Sequence, residues 1–249
     1  MTLPDAFRTR PFAHRALHDV SAGRPENSRA AILAAIGAGY GIEIDVQLSA
    51  DNAAMVFHDY ALERLTSGQG ALRLHPSDVL ATIPLTGGAE GIPTLPEVLD
   101  LVAGQVPLLI ELKDQDGAMG ADIGPLEAAT AAALEGYAGE AALMSFNPNS
   151  VARMAELLPE RPRGLVTSAY THADWPLPRA TCDRLREIPD YDHTGASFIS
   201  HEVSDLGRPR VAALKEQGAM ICCWTVRDAA TEAAAREIAD NITFEGYFA

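Results

Sequence analysis

The sequence predicts an α/β fold, a (β/α)8 TIM barrel carrying a small insertion after its second strand, on three observations. The chain has 249 residues, 47% of them apolar, which matches the roughly 250 residues typical of one such barrel and suffices for a single large core. Strand-like and helix-like stretches alternate nearly from end to end, the signature of a parallel sheet with helical crossovers. Eight strands can be drawn, and one domain spanning residues 1–249 is expected.

The strands read as Pro11 to His14, Gly41 to Leu48, Pro107 to Leu112, Ala141 to Phe146, Gly164 to Ser168, Ala196 to Ser200, Met220 to Val226 and Asn241 to Phe244. Helical periods fall at Ser28 to Ala38, Leu95 to Ala103, Pro125 to Gly136, Ser150 to Leu158, Pro209 to Gln217 and Ala229 to Ala239. Thr94 and Glu97 have the spacing of a capping box. The stretch from His172 to Asp192 is broken by prolines and has no clear period.

Ala53 to Phe57 follows the second strand too closely for a parallel crossover, which needs a dozen or more residues. It is expected to return antiparallel. Asp51 and Asn52 suit a two-residue hairpin loop; with that loop, paired positions place His58 across the ladder from Asp45. From about residue 59 to 93 the chain is rich in Gly and Pro, so an insertion is expected there. Insertions on the catalytic face of a barrel usually shape the site.

Formal net charge is −15. That excludes non-specific nucleic-acid binding, which depends on Lys and Arg neutralising phosphates, and a polybasic membrane surface. No stretch reaches the ~18 apolar residues of a membrane span, and the first residues lack the apolar run of a signal peptide. A cytoplasmic protein without stable membrane anchoring is expected. Cys182, Cys222 and Cys223 are odd in number and read as reduced, buried thiols.

In the second strand Glu43, Asp45 and Gln47 alternate with apolar residues and share one face. Taken alone, such a face could simply meet water. In a parallel sheet both faces are covered, and two buried carboxylates need a cation or donors to offset desolvation and repulsion. The third strand ends the same way, with Glu111 and Lys113 on one face. Glu43, Asp45 and Glu111 would offer oxygen ligands to one hard divalent cation, Mg2+ or Ca2+, with positions left for water and phosphate. His14 and Arg15 close the first strand at its C-terminal end, where barrel enzymes carry catalytic groups. Pro25 to Ser28 reads as a helix cap. Two imidazoles, His14 and His58, fit the proton transfers of phosphodiester cleavage, and Arg15 and Lys113 can bind phosphate oxygens.

The stretches PFAHRALHD, PENS, GIEIDVQLS, VFHDYALERLTSGQG, IELK, MSFNP and CWTV, in this order and spacing, resemble the glycerophosphodiester phosphodiesterases over most of the chain. The resemblance implies catalytic histidines at His14 and His58, metal ligands at Glu43, Asp45 and Glu111, phosphate contacts at Arg15 and Lys113, and a site-lining tryptophan at Trp224. It implies a small-molecule glycerophosphodiester substrate, cleaved to glycerol 3-phosphate and an alcohol. A lysophospholipase D-like diesterase is the alternative if the insertion forms an apolar mouth, and a non-catalytic phosphate-binding barrel is a third reading. Ala16 stands where the family has glycine, Arg227 where asparagine often follows the tryptophan stretch, and the last strand lacks the usual Thr-Asp ending.

Overall fold

A computed structural model describes residues 3–249. The chain opens with the one-turn helix α1 (Ala6–Thr9), strand β1 (Phe12–Ala13), helix α2 (Arg29–Ala38) and strand β2 (Gly41–Leu48). Strand β3 (Ala54–Val56) returns as a hairpin, and the insertion then carries little regular structure beyond α3 (Ser77–Leu80). Helix α4 (Leu95–Val102) leads to β4 (Leu108–Leu112), and the alternation continues through α5 (Pro125–Leu134), β5 (Ala141–Ser145), α6 (Pro148–Leu157), β6 (Arg163–Thr167), α7 (Arg179–Arg186) and β7 (Phe198–Glu202). It ends with α8 (Pro209–Glu216), β8 (Met220–Val226), α9 (Ala229–Ala235) and β9 (Asn241–Phe244).

Eight of the nine strands among the described residues are parallel, and β1 pairs with both β2 and β9, so the sheet closes into the expected (β/α)8 barrel. Each strand is buried on both faces and divides its side chains by period two. Outward residues such as Ile42, Ile44, Leu108, Ile110, Ile221 and Cys223 pack under the helices. Inward residues fill the barrel, where Phe7 of α1 and Phe12 close the N-terminal end over Leu109, Ala142, Phe198 and Cys222. Cys222 and Cys223 thus face opposite sides of β8, and both are buried free thiols. Asn241 binds α1 to β9 by donating to the carbonyls of Phe7 and Arg10 at 2.7 Å each. The Thr94 capping box forms at α4, and α2 is capped by Ser28, whose side chain accepts from the Ala31 amide.

Two findings differ from the expectations. The β2–β3 hairpin has a three-residue loop: the Ser49 amide donates to the Ala53 carbonyl at 3.0 Å, and Asn52 takes the left-handed conformation at φ +61°. The register is Val46 to Val56 and Leu48 to Ala54, so Phe57, not His58, lies across from Asp45, donating its amide to the Asp45 carbonyl at 3.0 Å. One extra loop residue suffices to shift the register, because hairpin pairing is fixed by loop length. The proline-broken stretch nevertheless contains a helix, α7, held by burial of Cys182 and Leu185 against Tyr170 rather than by a long amphipathic period.

The barrel interior is filled by large rings beside positions without side chains. A Cβ on Gly164 would lie 2.5 Å from the Phe198 ring, and one on Gly41 would lie 2.8 Å from Phe12. Gly164→Ala is therefore expected to lower the unfolding free energy by about 1–3 kcal/mol, the usual cost of overpacking a tight core. Gly37 in α2 has no heavy atom within 4 Å of such a Cβ, and Gly37→Ala is expected to raise stability by up to about 1 kcal/mol. Urea unfolding of the two variants checks this; an unaffected Gly164→Ala protein would mean that the barrel dilates to accept the methyl group.

Candidate active site

The inward alternation of β2 carries Glu43 and Asp45 to the C-terminal end of the barrel. These two residues are only 2% and 1% exposed, and Glu111, in register with Asp45 on the adjacent strand β4, is 6% exposed. One oxygen from each of the three carboxylates lies within 4.8 Å of the others. Lys113, two residues beyond Glu111 on the same face, bridges the cluster at 2.8 Å from Asp45 Oδ1 and 2.7 Å from Glu111 Oε1.

The cluster is only partly compensated. Burial, then the neighbouring charges of Asp45 and Glu111, push the Glu43 carboxyl well above its ordinary range. Burial would raise Asp45 too, but Lys113, His58 and Arg15 hold it far below that range. Asn27 donates its Nδ2 to Asp45 Oδ2 at 2.9 Å, so the residue before the α2 cap serves the site. Glu43 accepts the Arg15 amide at 2.9 Å and, through its carbonyl, the Ala16 amide at 3.0 Å. Both of those residues are left-handed, at φ +53° and +65°. Ala16 thus adopts the conformation for which glycine is better suited. Three buried oxygen donors with one member short of positive charge fit a hard divalent cation.

Both histidines lie against the same cavity and each is backed by a carboxylate. His14 Nδ1 lies 2.5 Å from Glu245 Oε2, and His58 Nδ1 lies 2.6 Å from Asp59 Oδ1. An Nδ1–H donated to the carboxylate leaves Nε2 as the ring's acceptor. Burial lowers the His14 pKa against the pull of Glu245, which favours the neutral ring. Arg15 Nη1 is 2.7 Å from Glu26 Oε1, and its Nε is 3.7 Å from Asp45 Oδ2.

The cavity is about 350 Å³. It joins the polar group of His14, Arg15, Glu43, His58, Glu111 and Lys113 to an apolar wall of Met144, Phe146, Val166 and Trp224. Phe146 and Trp224 meet edge to face with centroids 5.5 Å apart. The Trp224 indole donates to the Ser200 carbonyl at 3.0 Å, which fixes its ring. Ser200 and Thr243 line the same cavity, and their hydroxyls are buried without a partner among the described residues. No residue of the insertion lines the cavity: Leu62, Leu72, Leu80, Leu85 and Ile92 turn inward to a core of their own with Met55 and Phe57.

The structure thus brings all eight sequence-predicted residues into one cavity or its wall, Asp45 lying directly behind it against Lys113. Residues that spacing alone did not single out are the two carboxylates behind the histidines, Asp59 and Glu245, together with Glu26 and Asn27. Asp59 adjoins His58 in the chain and was legible in principle. Glu245 is 231 residues from His14, and nothing local announces it. The atypical last strand and Arg227 are linked here, because Arg227 Nη2 pairs with Glu245 Oε1 at 2.7 Å.

Comparison with known proteins agrees with this geometry. Residues 14–241 match the profile of the glycerophosphoryl diester phosphodiesterase family. The chain belongs to that family. It is accordingly a phosphodiester hydrolase. A Bacillus subtilis (strain 168) relative, provisionally named glycerophosphodiester phosphodiesterase YhdW, is 29% identical over 232 residues, covering 89% of this chain and 88% of its own. Among solved structures, an Oleispira antarctica phosphodiesterase in complex with the product sn-glycerol-3-phosphate aligns over 98% of this chain and 93% of its own, with TM-score 0.77 and 25% identity. A glycerophosphodiester phosphodiesterase from Agrobacterium tumefaciens str. C58 has the same fold, with TM-score 0.71 at 23% identity over 95% of this chain and 96% of its own. No described helix is long and apolar enough to cross a membrane.

The short His14 contact makes a stability prediction. Its hydrogen bond to His14, then the nearby His18 ring at 3.7 Å, holds the Glu245 carboxyl well below its ordinary value of 4.5. An acid with a depressed folded-state pKa contributes stability that is complete above its unfolded value and is lost as pH falls toward the folded one. Glu245→Gln is therefore expected to be less stable than the parent protein at pH 7, the gap closing as pH drops below 4.5. Chemical denaturation across that range checks it; a gap independent of pH would assign the effect to packing.

Proposed function

We propose that the protein hydrolyses glycerophosphodiesters to glycerol 3-phosphate and an alcohol, using one divalent cation, Mg2+ or Ca2+, at Glu43, Asp45 and Glu111. The observation that carries this reading is the joint presence, at one barrel end, of a partly compensated carboxylate trio and two carboxylate-backed histidines. A bound divalent cation would supply positive charge against the phosphoryl oxygens as negative charge develops there.

The chain's own residues perform the remaining tasks. Arg15 and Lys113 orient the phosphate by donating to its oxygens; Lys113 stays charged at any working pH because Asp45 and Glu111 hold its pKa above the ordinary range despite burial. His14 and His58 divide the proton transfers, one removing a proton from the attacking oxygen and the other delivering one to the leaving alkoxide. Glu245 and Asp59 hold the two imidazoles in one tautomer and orientation. Trp224 and Phe146 cover the carbon chain of the polyol and exclude water. The product held by the Oleispira relative supports the same substrate class here.

The metal requirement is tested by chelation, which is expected to abolish turnover, with Glu43→Gln, Asp45→Asn and Glu111→Gln each weakening Mg2+ or Ca2+ binding in titration calorimetry. Undiminished turnover in excess chelator would remove the cation from the reaction. The histidines are tested against two leaving groups. Each of His14→Ala and His58→Ala is expected to lower kcat by about 10² to 10⁴-fold, the usual contribution of positioned acid or base catalysis. The variant lacking the general acid should regain much of its rate on an aryl phosphodiester, whose leaving group needs no proton, and the other should not. Two variants equally slow on both substrates would refute the division of labour.

A further inference from the structure

The cavity draws no side chain from the insertion, yet the insertion reaches the site by another route. We propose that Arg64, outside the cavity, is a positioning residue that aligns His58 and Arg15 together, an inference that rests on the roles given to those two residues above.

Arg64 uses both edges of its guanidinium. Nε and Nη2 donate to the two oxygens of Asp59 at 2.6 and 2.7 Å, and Nη1 and Nη2 donate to the two oxygens of Glu26 at 2.9 Å each. Each carboxylate then passes one of the same oxygens to a functional group. Asp59 Oδ1 meets His58 Nδ1 at 2.6 Å, and Glu26 Oε1 meets Arg15 Nη1 at 2.7 Å. One planar group therefore sets the separation and orientation of both carboxylates. Through them it sets an imidazole on the hairpin and a guanidinium at the end of β1.

A lysine could neutralise the same acids but could not reproduce two bidentate forks, because an ammonium is a point charge with no fixed plane. Arg64 itself is held by its place in the chain. Leu62 is buried in the insertion core, and the Thr66 amide and hydroxyl both bond to the Leu62 carbonyl at 3.0 and 2.8 Å, closing the turn that presents Arg64. Half of the Arg64 side chain is exposed, so solvent screens its ion pairs. What they supply is alignment.

The test compares Arg64→Lys and Arg64→Met in the full-length protein with saturating divalent cation. Loss of a group that orients a catalytic side chain typically costs about 10- to 100-fold, and both variants are expected to lose kcat in that range and to raise KM, with thermal midpoints close to the parent's. Lysine should rescue little, since geometry rather than charge is lost. In a His58→Ala background the further kcat loss from Arg64→Lys should vanish, and in a Glu26→Gln background the further KM rise should vanish. A merely structural role would give losses that multiply in both backgrounds. Full activity of Arg64→Lys, or multiplying losses on a slow His58→Ala protein, overturns the role of Arg64 alone. A fully active His58→Ala protein overturns the role of His58, and that of Arg64 with it.

Discussion

Three carboxylates buried at the ends of two adjacent strands are the constraint on which the rest of the site depends. Period-two alternation on β2 and β4 places Glu43, Asp45 and Glu111 inside the barrel, where each pays desolvation and repels the others. Every neighbouring feature answers that charge. Lys113 comes from the same alternation on β4, Asn27 donates from the turn before α2, and the left-handed turn after β1 aims the Arg15 amide at the Glu43 carboxylate. The compensation is uneven, since Asp45 is over-supplied with positive partners and Glu43 is not. That unevenness is what a divalent cation would relieve.

The outer parts follow from holding the two imidazoles around this charge. Each ring is tied by Nδ1 to a carboxylate from a different element, Glu245 after β9 and Asp59 after the hairpin. Each of those carboxylates is in turn held by an arginine, Arg227 for Glu245 and Arg64 for Asp59. Acid and cation therefore alternate outward from each imidazole. Such alternation keeps charge close to neutral locally, which matters in a chain whose net charge is −15.

The barrel was legible because its strands and crossovers obey local periods. The inward acids were legible because two carboxylates on one face of a covered strand must be met there by a cation or by donors. The hairpin was legible in direction but not in register: Ser49 and Ala53 pair beneath a loop of Ala50, Asp51 and Asn52, and only the conformation of Asn52 distinguishes this from the shorter loop. Helix α7 was hidden because its few apolar contacts are tertiary, with Tyr170 and its neighbours. Glu245 and Arg64 were hidden for a related reason. Neither belongs to an alternating or helical pattern, and each acts through a contact that exists only when distant segments meet.

The insertion shows why position in a fold does not by itself assign a task. Its place on the catalytic face led to the expectation that it shapes the site directly. Its apolar residues instead bury one another over Met55 and Phe57, which turns them away from the cavity. The apolar wall falls to Met144, Phe146, Val166 and Trp224, carried at the ends of β5, β6 and β8. A segment with a core of its own can vary in length without disturbing that wall, provided the turn at Leu62 to Thr66 keeps its shape. The insertion's link to the two site residues then narrows to Asp59 at its start and to Arg64, and the apolar wall lies on the opposite side of the barrel mouth.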